Sequence, residues 1–99
     1  TDPFYRDVAK LNLIQFDLDN NMGSMQAHMK SVDEAIQANA GATALASEIK
    51  AYLLYKQGEY KKSRDLFVQV AQMEASDMGL RKRAQSMVRL LDIKLRTKS

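Results

Sequence analysis

The chain reads as all-α, with about five helices arranged as two helical hairpins and a C-terminal capping helix. Three observations lead there. Ala, Leu, Lys, Gln, Met and Glu, all good helix formers, dominate the composition, and the 99 residues include a single proline. Apolar residues recur at three- and four-residue spacing, while strict two-residue alternation and β-branched runs are absent. Clusters of turn formers at 19–21, 39–41, 57–58 and 76–77 separate the periodic stretches.

Asp2-Pro3 is a helix start, with Asp as N-cap and Pro at the first helical position. Helix 1 is expected over residues 3–18. Phe4, Val8, Leu11, Ile14 and Leu18 form its stripe, and Ala9, Leu13 and Phe16 widen it, which predicts a helix covered on more than one side. Asp19-Asn20-Asn21 turns the chain. Helix 2 spans 22–38, with Met22, Met25, Met29, Val32 and Ile36 on one face and Gly41 beyond its end. Helix 3 spans 43–57 and carries Leu45, Ile49, Leu53 and Leu54. Helix 4 spans 60–74, with Ser63, Phe67 and Val70 inward. Ser76-Asp77 caps helix 5, residues 78–96, whose stripe is Leu80, Ala84, Val88, Leu91 and Leu95.

Residues 51–67 are the densest signal. Gly58 makes a tight turn between two helices. Small Ala51 and Ser63 sit where those helices must approach, and large Leu54, Tyr60 and Phe67 sit where they interlock. A shift of 38 residues lays Phe16 on Leu54, Asn20 on Gly58, Met22 on Tyr60, Met29 on Phe67 and Val32 on Val70. A further shift of about 37 lays Ala84, Val88 and Leu91 on Ser47, Ala51 and Leu54. A stacked unit cannot bury both of its faces alone, so helix 5 is expected to cover an open end.

On these residues the chain resembles the tetratricopeptide-repeat superfamily, best over 47–71. Leu-Tyr-Lys-Gln-Gly-Glu-Tyr at 54–60 looks like its hairpin turn, Ala51 and Ser63 like its small packing positions, and Phe67 like its large one. The departures are Ser47 for a bulky residue, Val70 for an alanine, and no proline after helix 4. The resemblance implies a right-handed superhelix whose first helix in each hairpin lines a concave face. Residues 4–13, 51–67 and 80–85 further resemble the periplasmic domain of bacterial membrane-anchored tetratricopeptide-like proteins, including ancillary subunits of the Sec translocon. That narrower resemblance implies secretion-linked protein partners at the periplasmic face of the inner membrane. It also implies an N-terminal membrane helix, and because the chain starts at Thr1 without methionine it is expected to be a piece of a longer protein. Without the narrower resemblance a cytoplasmic location is the expectation.

With no cysteine, disulfides and thiolate metal sites are excluded. No run of eighteen apolar residues is present, so membrane contact is expected only through a segment outside this chain. Charge is uneven. Residues 1–40 hold six acids and three bases, and residues 41–99 hold six acids and twelve bases. The basic half reads as a solvated surface that also suits an acidic partner.

Candidate chemical sites are weak. Asp17-x-Asp19-x-Asn21-x-Gly23 resembles a calcium loop in outline, but Met22 and His28 occupy the positions that require glycine and a bidentate acid. It reads as a polar turn. His28, the single histidine, lies on the expected exposed side of helix 2 with no nucleophile pattern near it, and reads as structural or surface. Asp33 and Glu34 are adjacent and diverge on a helix. Met22, Met25 and Met29 suit an adaptable peptide-binding surface, but such a stripe reads more readily as core. Lys82, Arg89 and Arg96, seven apart, make a basic stripe on helix 5 that nucleic acid could use, though no recognition motif accompanies it.

The chain is therefore expected to be non-catalytic, with no cofactor, no metal and no small-molecule substrate, and to bind a protein or peptide segment. If the first helix of each hairpin lines a groove, Lys10, Ile14 and Asp17 align with Glu48, Tyr52, Tyr55 and Lys56, and Gln85 and Arg89 continue the row. Tyr52 and Tyr55 suit anchoring, since tyrosine offers contact area with a polar tip; they suit packing between helices equally well. Self-association into a homo-oligomer through exposed apolar ends is the alternative.

Overall fold

The computed structural model describes residues 3–38 and 42–97. They form five α-helices: α1 (Pro3–Asp19), α2 (Met25–Ala38), α3 (Thr43–Lys56), α4 (Tyr60–Gln72) and α5 (Met78–Thr97). No strand occurs among the described residues. The expected cap at Asp2 and stop at Gly41, and the side chain of Phe4, lie outside them. Each helix packs on the next, and α3 also touches α1 and α5. Helix α3 is thus central, and its sequence shows why. Ala44, Ala46, Ser47, Ile49, Ala51 and Leu53 are buried on two opposite sides of it, where small residues admit close neighbours.

The core divides in two. Leu11, Ile14 and Leu18 of α1 pack with Val32 and Ala35 of α2 and Ile49 and Leu53 of α3. Phe67 and Val70 of α4 pack with Ala44 and Ala51 of α3 and Leu80, Ala84 and Leu91 of α5. Tyr52 borders both clusters. Where α3 and α4 cross, Ser63 is fully buried and its hydroxyl donates to the Ala51 carbonyl at 2.7 Å. The small residues at this crossing admit the close approach and also satisfy the one buried hydroxyl that it creates.

Two turns share one hydrogen-bond pattern. After α3, Gly58 takes φ +81°; its N–H donates to the Tyr55 carbonyl, and the Glu59 N–H donates to Leu54. After α1, Asn21 takes φ +56°; its N–H donates to Leu18, and the Met22 N–H donates to Asp17 at 2.7 Å. Both are helix ends closed by a left-handed residue. Gly58→Ala is expected to cost about 1–2 kcal/mol, because alanine disfavours that backbone region. No atom lies within 4 Å of the added Cβ. Thermal unfolding checks this, and an unchanged midpoint would refute backbone strain as the reason for glycine.

The expected start of helix 2 at Met22 is corrected to Met25. Asn21 and Gly23 both have positive φ, which no helix tolerates, and Ser24 supplies the cap, its Oγ accepting from the Ala27 N–H at 3.1 Å. Met22 is accordingly 52% exposed rather than core, while Met25 and Met29 pack against the first cluster. The longer turn also breaks the single 38-residue shift. Asn21 rather than Asn20 answers Gly58. Beyond the turn, His28, Val32 and Ala35 are buried at the same four- and three-residue spacing as Ser63, Phe67 and Val70 of α4. His28 is therefore buried, not on an exposed side. Its Nε2 donates to the Met22 carbonyl at 2.9 Å, and it lies so close to Gly23 that a Cβ there would meet the ring at 2.8 Å.

Helix α4 ends without proline by other means. The Ser76 hydroxyl donates to the Val70 carbonyl, and Arg81 donates to the carbonyls of Met73 and Ser76. Asp77 caps α5 as expected, its carboxylate accepting from the Leu80 N–H at 2.8 Å. The widened apolar stripe of α1 is not covered: Leu13 and Phe16 are 60% and 57% exposed, and Ala9 is exposed. No other helix lies on that side, because α2 and α3 both sit against Leu11, Ile14 and Leu18.

Candidate functional site

Since α1 and α5 flank α3 without touching each other, a groove remains between them. Its volume is about 740 Å³. Asn12 and Gln15 come from α1; Leu45, Glu48, Ile49 and Tyr52 from α3; Phe67 reaches it from α4; Lys82, Arg83, Ser86 and Met87 come from α5. The α3 residues follow helical spacing along the floor, and their apolar members give the groove its mostly apolar base. Polar groups sit on its two lips.

One ion pair ties the α5 wall of the groove to its α3 floor. The Arg83 guanidinium donates from Nε to Glu48 Oε2 at 2.8 Å and from a terminal nitrogen to Oε1 at 3.2 Å. This fork joins α5 to α3 with fixed geometry. Hydrogen bonding to Glu48 is the main cause that raises the Arg83 pKa above its ordinary value, partly opposed by burial. With Glu48 neutralised by Arg83, Lys82 is left as the uncompensated charge among the lining residues.

Above the groove the tyrosines form a ladder. Tyr52 and Tyr55 rings lie 6.2 Å apart, and Tyr55 and Tyr60 lie 5.6 Å apart. Lys56 stands over the Tyr52 ring at 5.3 Å, and Lys94 stands over Tyr55 and Tyr60 at 5.9 and 5.5 Å. All three rings are half-buried and pack against the second core cluster. Tyr52 packs between helices and is also one of the groove-lining residues. Tyr55 is not among the groove-lining residues.

The expected row of nine does not converge. Glu48 and Tyr52 line the groove, whereas Lys56 stands over the Tyr52 ring and lines a separate recess with Met22, Met25 and His28. Lys10, Ile14 and Asp17 face a separate recess between α1 and α2, alongside His28 and Glu34. Ile14 is 7% exposed and belongs to the first core cluster, so it is a packing residue. Gln85 and Arg89 line a shallow recess between α4 and α5, although the Arg89 guanidinium reaches back to donate to Ser86 Oγ at 3.2 Å. The cause is helix phase. Each residue step turns a side chain by about 100°, so a row placed one or two residues out leaves the groove altogether. The true lips, Asn12 with Gln15 and Lys82 with Ser86, were signalled only as polar positions beside each helix's buried stripe.

The Asp17–Gly23 segment acts as a helix end. The Asp17 carbonyl accepts from Met22, and the Asp19 carboxylate accepts from Gln15 Nε2 at 3.0 Å. Among the described residues no cluster of His, Cys, Asp or Glu could hold a metal ion, and no helix is long and apolar enough to cross a membrane. No family model, curated protein or solved structure matches this chain.

Proposed function

We propose that the chain is a non-catalytic protein–protein interaction scaffold of tetratricopeptide-like design, which lays a partner segment along the groove between α1, α3 and α5. The observation that carries this reading is the groove itself, floored by Leu45 and Tyr52, walled by Met87 and edged by the charge of Lys82. Leu90 and Ile93, 41% and 52% exposed, continue at helical spacing the α5 face that carries Ser86, and so lengthen the apolar track. A segment with apolar anchors and an acidic residue beside Lys82 suits it, and the tyrosines supply stacking area at low entropic cost. Lys82 supplies the steering charge for such a segment.

The test uses peptides selected from a random phage-displayed library on the 99-residue protein. Ser86→Arg and Asn12→Arg fill the groove from opposite lips and are expected to weaken binding by about tenfold or more. Gln72→Arg, in the outer recess between α4 and α5, is expected to change nothing. Unchanged affinity in both groove variants, with helicity intact, refutes the groove. The narrower proposal, a secretion-linked scaffold at the periplasmic face of the inner membrane, rests on the resemblance of residues 4–13, 51–67 and 80–85. An apolar run of about twenty residues ahead of Thr1 in the gene supports it, and a gene lacking one removes it.

A further inference from the structure

Helix α1 carries an apolar face that nothing in the described chain covers. Ala9, Leu13 and Phe16 follow one another at four and three residues, opposite the buried Leu11, Ile14 and Leu18. Contiguous exposed apolar surface of this kind commonly marks an interface. The face is also patterned along its length. Basic Arg6 and Lys10 lie toward its N-terminal end and acidic Asp17 toward its C-terminal end, with small Ala9 before Leu13 and large Phe16 after it. Among the described residues Arg6, Lys10 and Asp17 have no ion-pair partner.

We propose that this face pairs with the same face of a second copy, antiparallel, about a two-fold axis passing beside Leu13. In a two-fold contact each pairing is made twice, so the surface must complement itself. With the axis at Leu13, a residue three or four places before it meets one three or four places after it on the partner. Lys10 then meets the partner's Asp17, Ala9 meets the partner's Phe16, and the two Leu13 side chains meet at the centre. Charge opposes charge, and the large ring falls on the small residue. Antiparallel helices also oppose their dipoles. A parallel pairing keeps equal heights together, so Lys10 and Asp17, about 10 Å apart along the helix, would not meet. The exposed α5 face at Leu90 and Ile93 is bordered by Arg89 and Lys94 and offers no acid to pair with them, so it is not self-complementary in charge. Helix α1 is therefore the self-complementary surface.

Sedimentation velocity of the 99-residue chain across a concentration series tests this. The wild type is expected to show a monomer–dimer equilibrium, and Leu13→Glu is expected to abolish it. Lys10→Asp and Asp17→Lys are each expected to weaken the dimer by about tenfold, since attraction becomes repulsion at two symmetric places. An equimolar mixture of these two variants is expected to restore dimerisation, which also shows that both are folded. A wild type that stays monomeric up to about 1 mM overturns the proposal. So does a dimer broken by Leu90→Glu but not by Leu13→Glu, or a charge-reversed mixture that fails to associate.

Discussion

Phe67→Ala is expected to destabilise the chain by about 3–5 kcal/mol, the usual cost of deleting a buried aromatic ring. Phe67 is 2% exposed and is the largest of the fully buried side chains. Its neighbours explain why the cavity cannot collapse. Ala44, Ala51 and Ala84 have no rotamers with which to fill it, and the Ser63–Ala51 hydrogen bond holds the α3–α4 backbone distance. Domains of this size are stable by only about 5–15 kcal/mol, so the variant stands near the limit of folding. Urea unfolding followed by helical circular dichroism measures the loss. A change below about 1 kcal/mol, the level of an ordinary surface substitution, would mean that Phe67 is not the keystone of the second core.

Leu11→Ala is expected to cost about 2–5 kcal/mol as well, but with a local consequence. Leu11 is fully buried, and among the described residues the buried contacts of α1 are those of Leu11, Ile14 and Leu18. The α4–α5 pair rests on the other cluster and is tied separately by Arg64 to Asp92 at 2.9 Å. Hydrogen exchange should therefore show α1 losing protection while α4 and α5 keep theirs. Because α1 supplies Asn12 and Gln15 to the groove, peptide binding should fall together with α1 protection. Equal loss of protection in all five helices would refute the two-cluster description.

Local rules account well for the elements. Helices α3, α4 and α5 end within about two residues of expectation, since Gly58 and Asp77 are strong punctuation with a known mechanism. The start of α2 is three residues late because Asn21 and Gly23, two residues apart, both adopt left-handed backbone. Asparagine tolerates that region without requiring it, so the sequence carries no firm sign of it. The buried members of each stripe were equally legible. Phe67, Val70, Leu80, Ala84 and Leu91 are where periodicity places them. His28 was not, because a histidine on a helix gains burial only when a carbonyl such as that of Met22 is delivered to it by a turn.

Taken by itself, the sequence determined that the chain is helical, where its turns fall, and which side of each helix is apolar. Those follow from interactions within about four residues, which any helix makes on its own account. The site needed the tertiary structure. Whether a residue beside the stripe lines a groove, a recess or open solvent depends on which neighbour packs there and at what rotation. That is why Lys10, Ile14 and Asp17 left the expected row while Asn12 and Gln15 entered the groove. The fork between Glu48 and Arg83 joins residues 35 apart, and the uncovered face of α1 depends on α2 and α3 both lying on its other side. Such contacts reflect the relative placement of whole helices, which helical periodicity within a single segment does not encode.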